Sequence, residues 1–189
     1  MLIQIKLLSD AIFGNGQSVP GGEDISILCD DKGFPYYKGS SFKGIFREEL
    51  LRLLTLKGHD PAEIRKTAGE ILGIAGDDGN LYGAAVFSDF TIPDSVRNAI
   101  LREAGPSTER VRDCLTSIRT FTAIGEEGTA HDGSLRMARC IDKGMIFTGK
   151  IECRSEHEPL IKETLSMIKW IGTMRNRGFG KVKITALGE

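Results

Sequence analysis

Two short stretches of the chain carry residue types suited to chemistry on a phosphate chain. The first is Gly39-Ser-Ser-Phe-Lys-Gly44, which follows the extended-favouring Pro35-Tyr36-Tyr37 and opens an apolar-striped helix. Unpaired amides and the helix dipole both favour an anion at such a start, and Ser40, Ser41 and Lys43 add donors. Phosphate is the natural anion. The same residues also suit an ordinary capped helix, with Ser40 or Ser41 accepting a bond from the first amides. The local sequence supports both readings. The glycine spacing is half of a P-loop, but Ile45 and Phe46 stand where that motif requires Lys and Ser or Thr, which excludes an NTPase of that class.

The second stretch is Gly172-Thr-Met-Arg-Asn-Arg-Gly-Phe-Gly-Lys181. Gly172, Gly178 and Gly180 permit close backbone approach to a ligand, while Arg175, Arg177 and Lys181 offer charge-assisted bonds to phosphodiesters. A solvated basic loop is the plain alternative. A dinucleotide site is excluded, because its fingerprint follows a strand and opens a helix, the reverse of the order here.

The whole chain limits what these stretches can serve. At 189 residues it suits one domain with insertions, over residues 1–189, or two very small ones, with a real core possible, and its formal charge of -1 gives no general basic field. Contact with nucleic acid must therefore use a local patch. Such a patch lies between Leu160 and Lys183, where Lys162, Lys169, Arg175, Arg177, Lys181 and Lys183 face Glu163 alone. Cys29, Cys114, Cys140 and Cys153 form no Cys-x-x-Cys pair and read as reduced core thiols. His59, His131 and His157 share no ligand spacing. No signal peptide, spanning segment or lipidation motif is present, so the cytoplasm is the expected compartment.

Periodicity places the elements that must hold the two stretches. Ile3, Ile5 and Leu7 alternate within a strand over 2–8, and a glycine-rich loop over 14–23 leads to a short strand at Ile25 to Cys29. Phe42, Ile45, Phe46, Leu50, Leu53 and Leu54 stripe a helix over 42–54, with Lys43, Arg47 and Arg52 off that stripe. Asp60-Pro61 starts a second helix to Leu72, and Pro93 to Ala104 makes a third. Strands follow at 84–90 and 145–153, with a long hairpin (115–123 and 135–141) between them. A helix over 159–171 and a strand over 181–187 close the chain. Without insertions at about 9–41, 55–83 and 91–144, the order is strand, helix, strand, strand, helix, strand. That is an α+β, ferredoxin-like core. The last strand offers no stacking rings, since Val182, Ile184 and Ala186 are aliphatic.

Taken in order, these motifs resemble a family. A first strand leads to Gly21-Gly-Glu-Asp-Ile-Ser-Ile-Leu-Cys-Asp30; Gly33-Phe-Pro35 then precedes the Gly39 to Gly44 turn; and a glycine-rich loop lies near the end. The set is similar to the RAMP superfamily of CRISPR-associated proteins, and within it to the backbone subunits of type III effector complexes. Lys38 departs from the proline usual before the Gly-Ser-Ser turn, and Trp170 stands where a first glycine is common.

The resemblance implies a subunit stacked along a CRISPR guide RNA, beside copies of itself or related effector-complex subunits, with target RNA paired to the guide. The hairpin around Gly125 to Gly133 would be a thumb that interrupts the duplex. Ser40, Ser41, Lys43, Arg47, Gly172, Arg175, Arg177, Gly178, Gly180 and Lys181 would contact RNA. Asp24 matches the aspartate that such subunits need to cut target RNA with Mg2+ or another divalent metal. Two alternatives remain: a non-catalytic RNA-binding assembly subunit, and a metal-independent endoribonuclease processing guide precursors with His59 or His131 as base.

Overall fold

The computed structural model describes residues 1–16, 18, 22–73, 85–122, 127–129 and 133–187. In β1 (Leu2–Leu7) the predicted alternation holds: Ile3, Ile5 and Leu7 are buried, while Leu2 and Lys6 are exposed. A long connection then leads to α1 (Gly39–Leu56), whose buried face of Phe42, Phe46, Leu50, Leu53 and Leu54 matches the predicted stripe. Next comes α2 (Pro61–Leu72), where Asp60 accepts from the Ala62 and Glu63 amides and Glu63 accepts from the Asp60 amide, a capping box that defines the helix start.

The chain continues through β2 (Val86–Phe87), α3 (Asp94–Ala104), α4 (Thr108–Asp113), β3 (Thr116–Phe121), β4 (Arg136–Ile141), β5 (Ile146–Glu152), α5 (Glu158–Met167) and β6 (Val182–Leu187). Strands β2, β5, β1 and β6 lie in that order and pair antiparallel throughout, with Ile5 opposite both Phe147 and Ile184. This is the ferredoxin-like order. β3 and β4 form a separate two-stranded ribbon, inserted in sequence between β2 and β5. Between the sheet and its helices lie Ile3, Ile5, Phe147, Ile151, Phe42, Phe46, Leu50, Ile161 and Leu165, all buried. Among the described residues, no helix is long and apolar enough to cross a membrane.

Several boundaries differ from the sequence reading, each for a physical reason. Ile25 to Cys29 is not a continuous strand but a series of single bridges, Ile25 to Ala138, Ile27 to Gly14 and Cys29 to Pro35, because its two sides meet different neighbours. α5 stops at Met167. Ile168 leaves the helix with ψ 110°, and 169–171 pair with 180–182, so Ile168 and Ile171 are buried from extended backbone rather than from a helical stripe. β2 holds only Val86 and Phe87; Ala84 lies outside the described residues, and the Ser88 hydroxyl takes the Lys150 amide beyond the strand. The helix α4, capped by Ser107, was not foreseen. Cys140 is buried, but Cys114 is exposed and so is no core thiol.

On β6 it is Val182, Ile184 and Ala186 that turn toward the core. The open sheet face instead carries Lys183, Thr185 and Leu187, which also have no rings.

Candidate nucleic-acid interface

The glycine-rich loop is closed at its base, where the Ile171 amide bonds the Gly180 carbonyl at 2.8 Å and the Val182 amide bonds Lys169 at 2.9 Å. It is also fixed to the segment after β1. The Gly180 amide donates to Asp10 (2.7 Å) and the Thr173 amide to Ile12 (3.0 Å). These contacts explain two of the glycines. A Cβ on Gly172 would stand 2.5 Å from the Ile12 carbonyl oxygen, and one on Gly180 would overlap the Ile171 carbonyl; both residues have positive φ. Met174 also takes the left-handed conformation, at φ 56°, which is unusual for a side chain of its size. It turns the chain into a 3-10 turn, Arg175–Arg177, whose residues are exposed.

The loop allows a clean separation of two effects. Gly178 has φ +86° and open space where a methyl group would stand, with nothing within 4 Å, whereas Gly180, at φ +78°, meets backbone. Gly178→Ala is expected to cost only the left-handed strain, roughly 1–3 kcal/mol. Gly180→Ala should cost clearly more, as read by urea denaturation of the two variants. Equal costs would contradict the close packing of the loop on its own base.

The two stretches singled out in sequence meet through Tyr37, the second residue before Gly39. Its buried ring packs on Phe13 at 4.5 Å, and Phe13 also lies against Gly172, where a Cβ would stand 3.3 Å from the ring. Burial pushes the Tyr37 pKa up, while the nearby Gly172 amide and the Arg175 charge pull it down. Lys38, Ser40 and Ser41 follow at the exposed start of α1, with Lys43 half-buried.

The expected capping is different. Lys38 is the cap residue and makes no side-chain cap bond, and neither Ser40 nor Ser41 caps. Instead the Asp89 carboxylate takes the Gly39 amide at 2.8 Å. Gly39 is required by contact, because a Cβ there would lie 2.5 Å from the Ser88 carbonyl oxygen. Arg47 does not join this cluster; it lines the groove between α1 and α2 with Arg65. Lys181 lies with its amine 5.9 Å from the Trp170 ring centroid.

The far side of the loop rests on the β3–β4 ribbon. Phe179 meets Phe121 edge-on at 5.6 Å, and the Arg177 guanidinium lies 5.7 Å from the Phe121 ring centroid. Phe121 pairs with Arg136 across the ribbon, and the next residue, Met137, holds Asp24. The Asp24 Oδ2 accepts the Met137 amide at 2.7 Å and the Asp24 amide returns a bond to the Met137 carbonyl at 2.8 Å. Asp24 is exposed. The ribbon therefore touches Phe179 and Arg177 of the loop through β3 and holds Asp24 through β4. Of its tip, residues 123–126 and 130–132, including most of the expected thumb turn and His131, lie outside the described residues.

The other two carboxylates near Asp24 in sequence are committed. Buried Glu23 pairs with Arg139, whose guanidinium also bonds Asp113 (2.8 Å) and the Thr116 hydroxyl (2.9 Å). Asp30 caps its own turn through the Lys32 and Phe34 amides and pairs with Arg97 at 2.6 Å. Among the described residues, no group of three His, Cys, Asp or Glu is placed to hold a metal. Asp24 thus fits a divalent metal as one ligand only, with phosphate oxygens and water needed for the rest. His59 is remote from this cluster. It follows the C-terminal end of α1, an 18-residue helix about 27 Å long, and its Nδ1 lies 3.2 Å from Glu63.

Tyr37, Phe121, Phe179 and Arg139 were not singled out in the sequence. Tyr37 had one usable signal, its place beside the glycine turn; the others had none, since a ring or an arginine in an alternating strand reads as ordinary.

The family model for the RAMP superfamily matches residues 4–183. Among solved structures, a chain of the type III-B Cmr-beta cryo-EM structure bound to cognate target RNA is similar over 97% of this chain and 95% of that one, at 13% identity and a TM-score of 0.68. A chain of the Cmr-beta apo state is similar over the same shares, at 13% identity and a TM-score of 0.66. No curated protein sequence matches significantly.

Proposed function

The chain belongs to the RAMP superfamily, and from that membership we propose that it is a guide-RNA-binding subunit of a type III CRISPR effector complex. One observation carries this reading: Tyr37, which leads into α1, and Gly172 at the base of the arginine-bearing loop, more than a hundred residues apart, both pack on the Phe13 ring, and the Arg175 charge acts on the Tyr37 phenol. The backbone of a single RNA strand suits that surface. Arg175 and Arg177 would contact phosphates, Ser40, Ser41 and Lys43 would bond the neighbouring sugar-phosphate units, and Gly178 would let the strand approach the backbone. The β3–β4 ribbon would act as the thumb, and copies of the chain or related subunits would continue the filament in the cytoplasm.

Target cleavage is the second part of the proposal, with Asp24 as the acting carboxylate. Its Oδ2 is tied to Met137, which leaves Oδ1 to face a target nucleotide. Asp24 would be the protein's ligand for Mg2+ or a similar ion, which would supply charge stabilisation at the scissile phosphate. The endoribonuclease reading draws no support from the placement of His59 far from the loop, and its other candidate base, His131, lies outside the described residues.

Guide binding is tested by fluorescence anisotropy with labelled single-stranded RNA over a range of salt concentrations. Arg175→Ala and Arg177→Ala should each weaken affinity several-fold regardless of RNA sequence, and each should lower the slope of log K against log salt by about 0.7, as loss of one phosphate contact requires. Loss confined to certain sequences, or an unchanged salt slope, would overturn the phosphate role.

A further inference from the structure

Beside the start of α1 lies a recess of about 450 Å³ to which the sequence motifs assigned no ligand. Its walls come from four places in the chain: Asn15, Ser26 with the backbone to Cys29, Lys38, and Arg112 of α4. One wall is closed by contact between the turn at Gly33 and the Thr108 carbonyl, where no Cβ would fit. That contact is what places α4, and therefore Arg112, against the loop segment.

The recess is cationic and short of counter-charge. Among its described lining residues none is an acid. Lys38 makes no ion pair within 4.0 Å among the described residues, and the nearest carboxylate to the Arg112 Nε is that of Asp113 at 3.8 Å. Asp113 is engaged more closely by Arg139, at 2.8 Å. The Arg112 Nε is itself buried with no hydrogen-bond partner, an unfavourable state for a donor of this strength. Cys29 in the wall adds no negative charge, since burial pushes its thiol up to about 11. Two positive charges, the Ser26 hydroxyl and the Asn15 amide thus line a volume in the lower range for small-ligand sites.

We propose that this recess binds one phosphate-bearing nucleotide of a single RNA strand, held through its phosphate by Lys38 and Arg112 and oriented by Ser26 and Asn15. This rests on the guide-binding reading and extends it. Ser26 lies two residues beyond Asp24 in the chain, and Lys38 adjoins Tyr37, on whose phenol the Arg175 charge acts. A strand held at Arg175 and continuing into the recess would have one nucleotide fixed there, which would set the register of its neighbours.

The test uses the full-length chain, labelled single-stranded RNA, and AMP as a free-nucleotide probe. Lys38→Ala and Arg112→Ala should each weaken RNA binding about tenfold and lower the salt slope by about 0.7, with Arg112→Lys recovering part of the loss. RNA carrying 4-thiouridine should photo-crosslink to residues 26–29. Two independent variants, each checked by thermal unfolding, guard against loss of fold. If both variants bind RNA normally while Arg177→Ala does not, the recess is no RNA site although the loop is. If AMP binds in a Lys38-dependent manner without competing with RNA, the occupant is a free nucleotide and the strand assignment is overturned. Absence of RNA binding by the unaltered chain overturns both readings.

Discussion

Asp24→Asn is expected to abolish cleavage of target RNA by the assembled complex in the presence of Mg2+, lowering the rate by about 10²-fold or more, while leaving RNA binding unchanged. The magnitude follows from losing a carboxylate that either accepts the 2'-hydroxyl proton or holds the metal, a contribution of about 10²–10⁴. In the step proposed, the 2'-oxygen attacks the adjacent phosphorus as its proton leaves toward Oδ1, the bond from phosphorus to the 5'-oxygen breaks with that oxygen taking a proton from water, and a cyclic phosphate and a 5'-hydroxyl result. Asparagine keeps an oxygen for the Met137 amide, so the loop should stay in place. Cleavage at the original rate in this variant would remove Asp24 from the chemistry and leave a binding subunit. Product end-group analysis adds a second check, since a 3'-hydroxyl product would exclude attack by the 2'-oxygen.

Arg139→Met should produce the largest loss of stability, about 3–5 kcal/mol, because it strands Glu23 as a buried carboxylate without its partner. For a chain of this size the melting temperature would fall by roughly 6–20 °C. The same change should loosen the residue after Glu23, which is Asp24. The double variant Glu23→Gln with Arg139→Met should recover a large part of the loss, since no uncompensated buried charge then remains, Asp113 being largely exposed. If the single variant melts normally, the Glu23 to Arg139 pair does not anchor the loop. Cleavage and melting should therefore separate between the two sites: Asp24→Asn affects rate without melting temperature, and Arg139→Met affects both.

Much of the scaffold was readable in one dimension because local forces specify it. Alternation placed β1, β5 and β6 to within a residue or two, and helical spacing with an Asp60 cap placed α1 and α2. Where the reading failed, a distant partner had replaced a local one. Ile168 and Ile171 have helical spacing, yet pairing with 180–182 draws them into extended backbone. Ser40 and Ser41 are good caps by type, but Asp89, fifty residues on, supplies the oxygen. α4 was missed because six residues with one buried side chain, Val111, leave too little periodicity to detect.

The candidate site divides the same way. Residue types alone pointed to Gly39 to Gly44 and Gly172 to Lys181 as the phosphate-suited stretches and to a ferredoxin-like core order, whereas Asp24 stood out only through the family resemblance. Only the folded chain decided that Tyr37 joins those stretches, that Phe121 and Phe179 set the ribbon beside Arg177, that Glu23 and Asp30 are spent on arginines, and that Arg47 lies elsewhere. The physical reason is that side-chain period and capping act over a few residues and leave a pattern in the sequence. Contacts between segments a hundred residues apart depend on complementary shape and charge, and those leave no period to read.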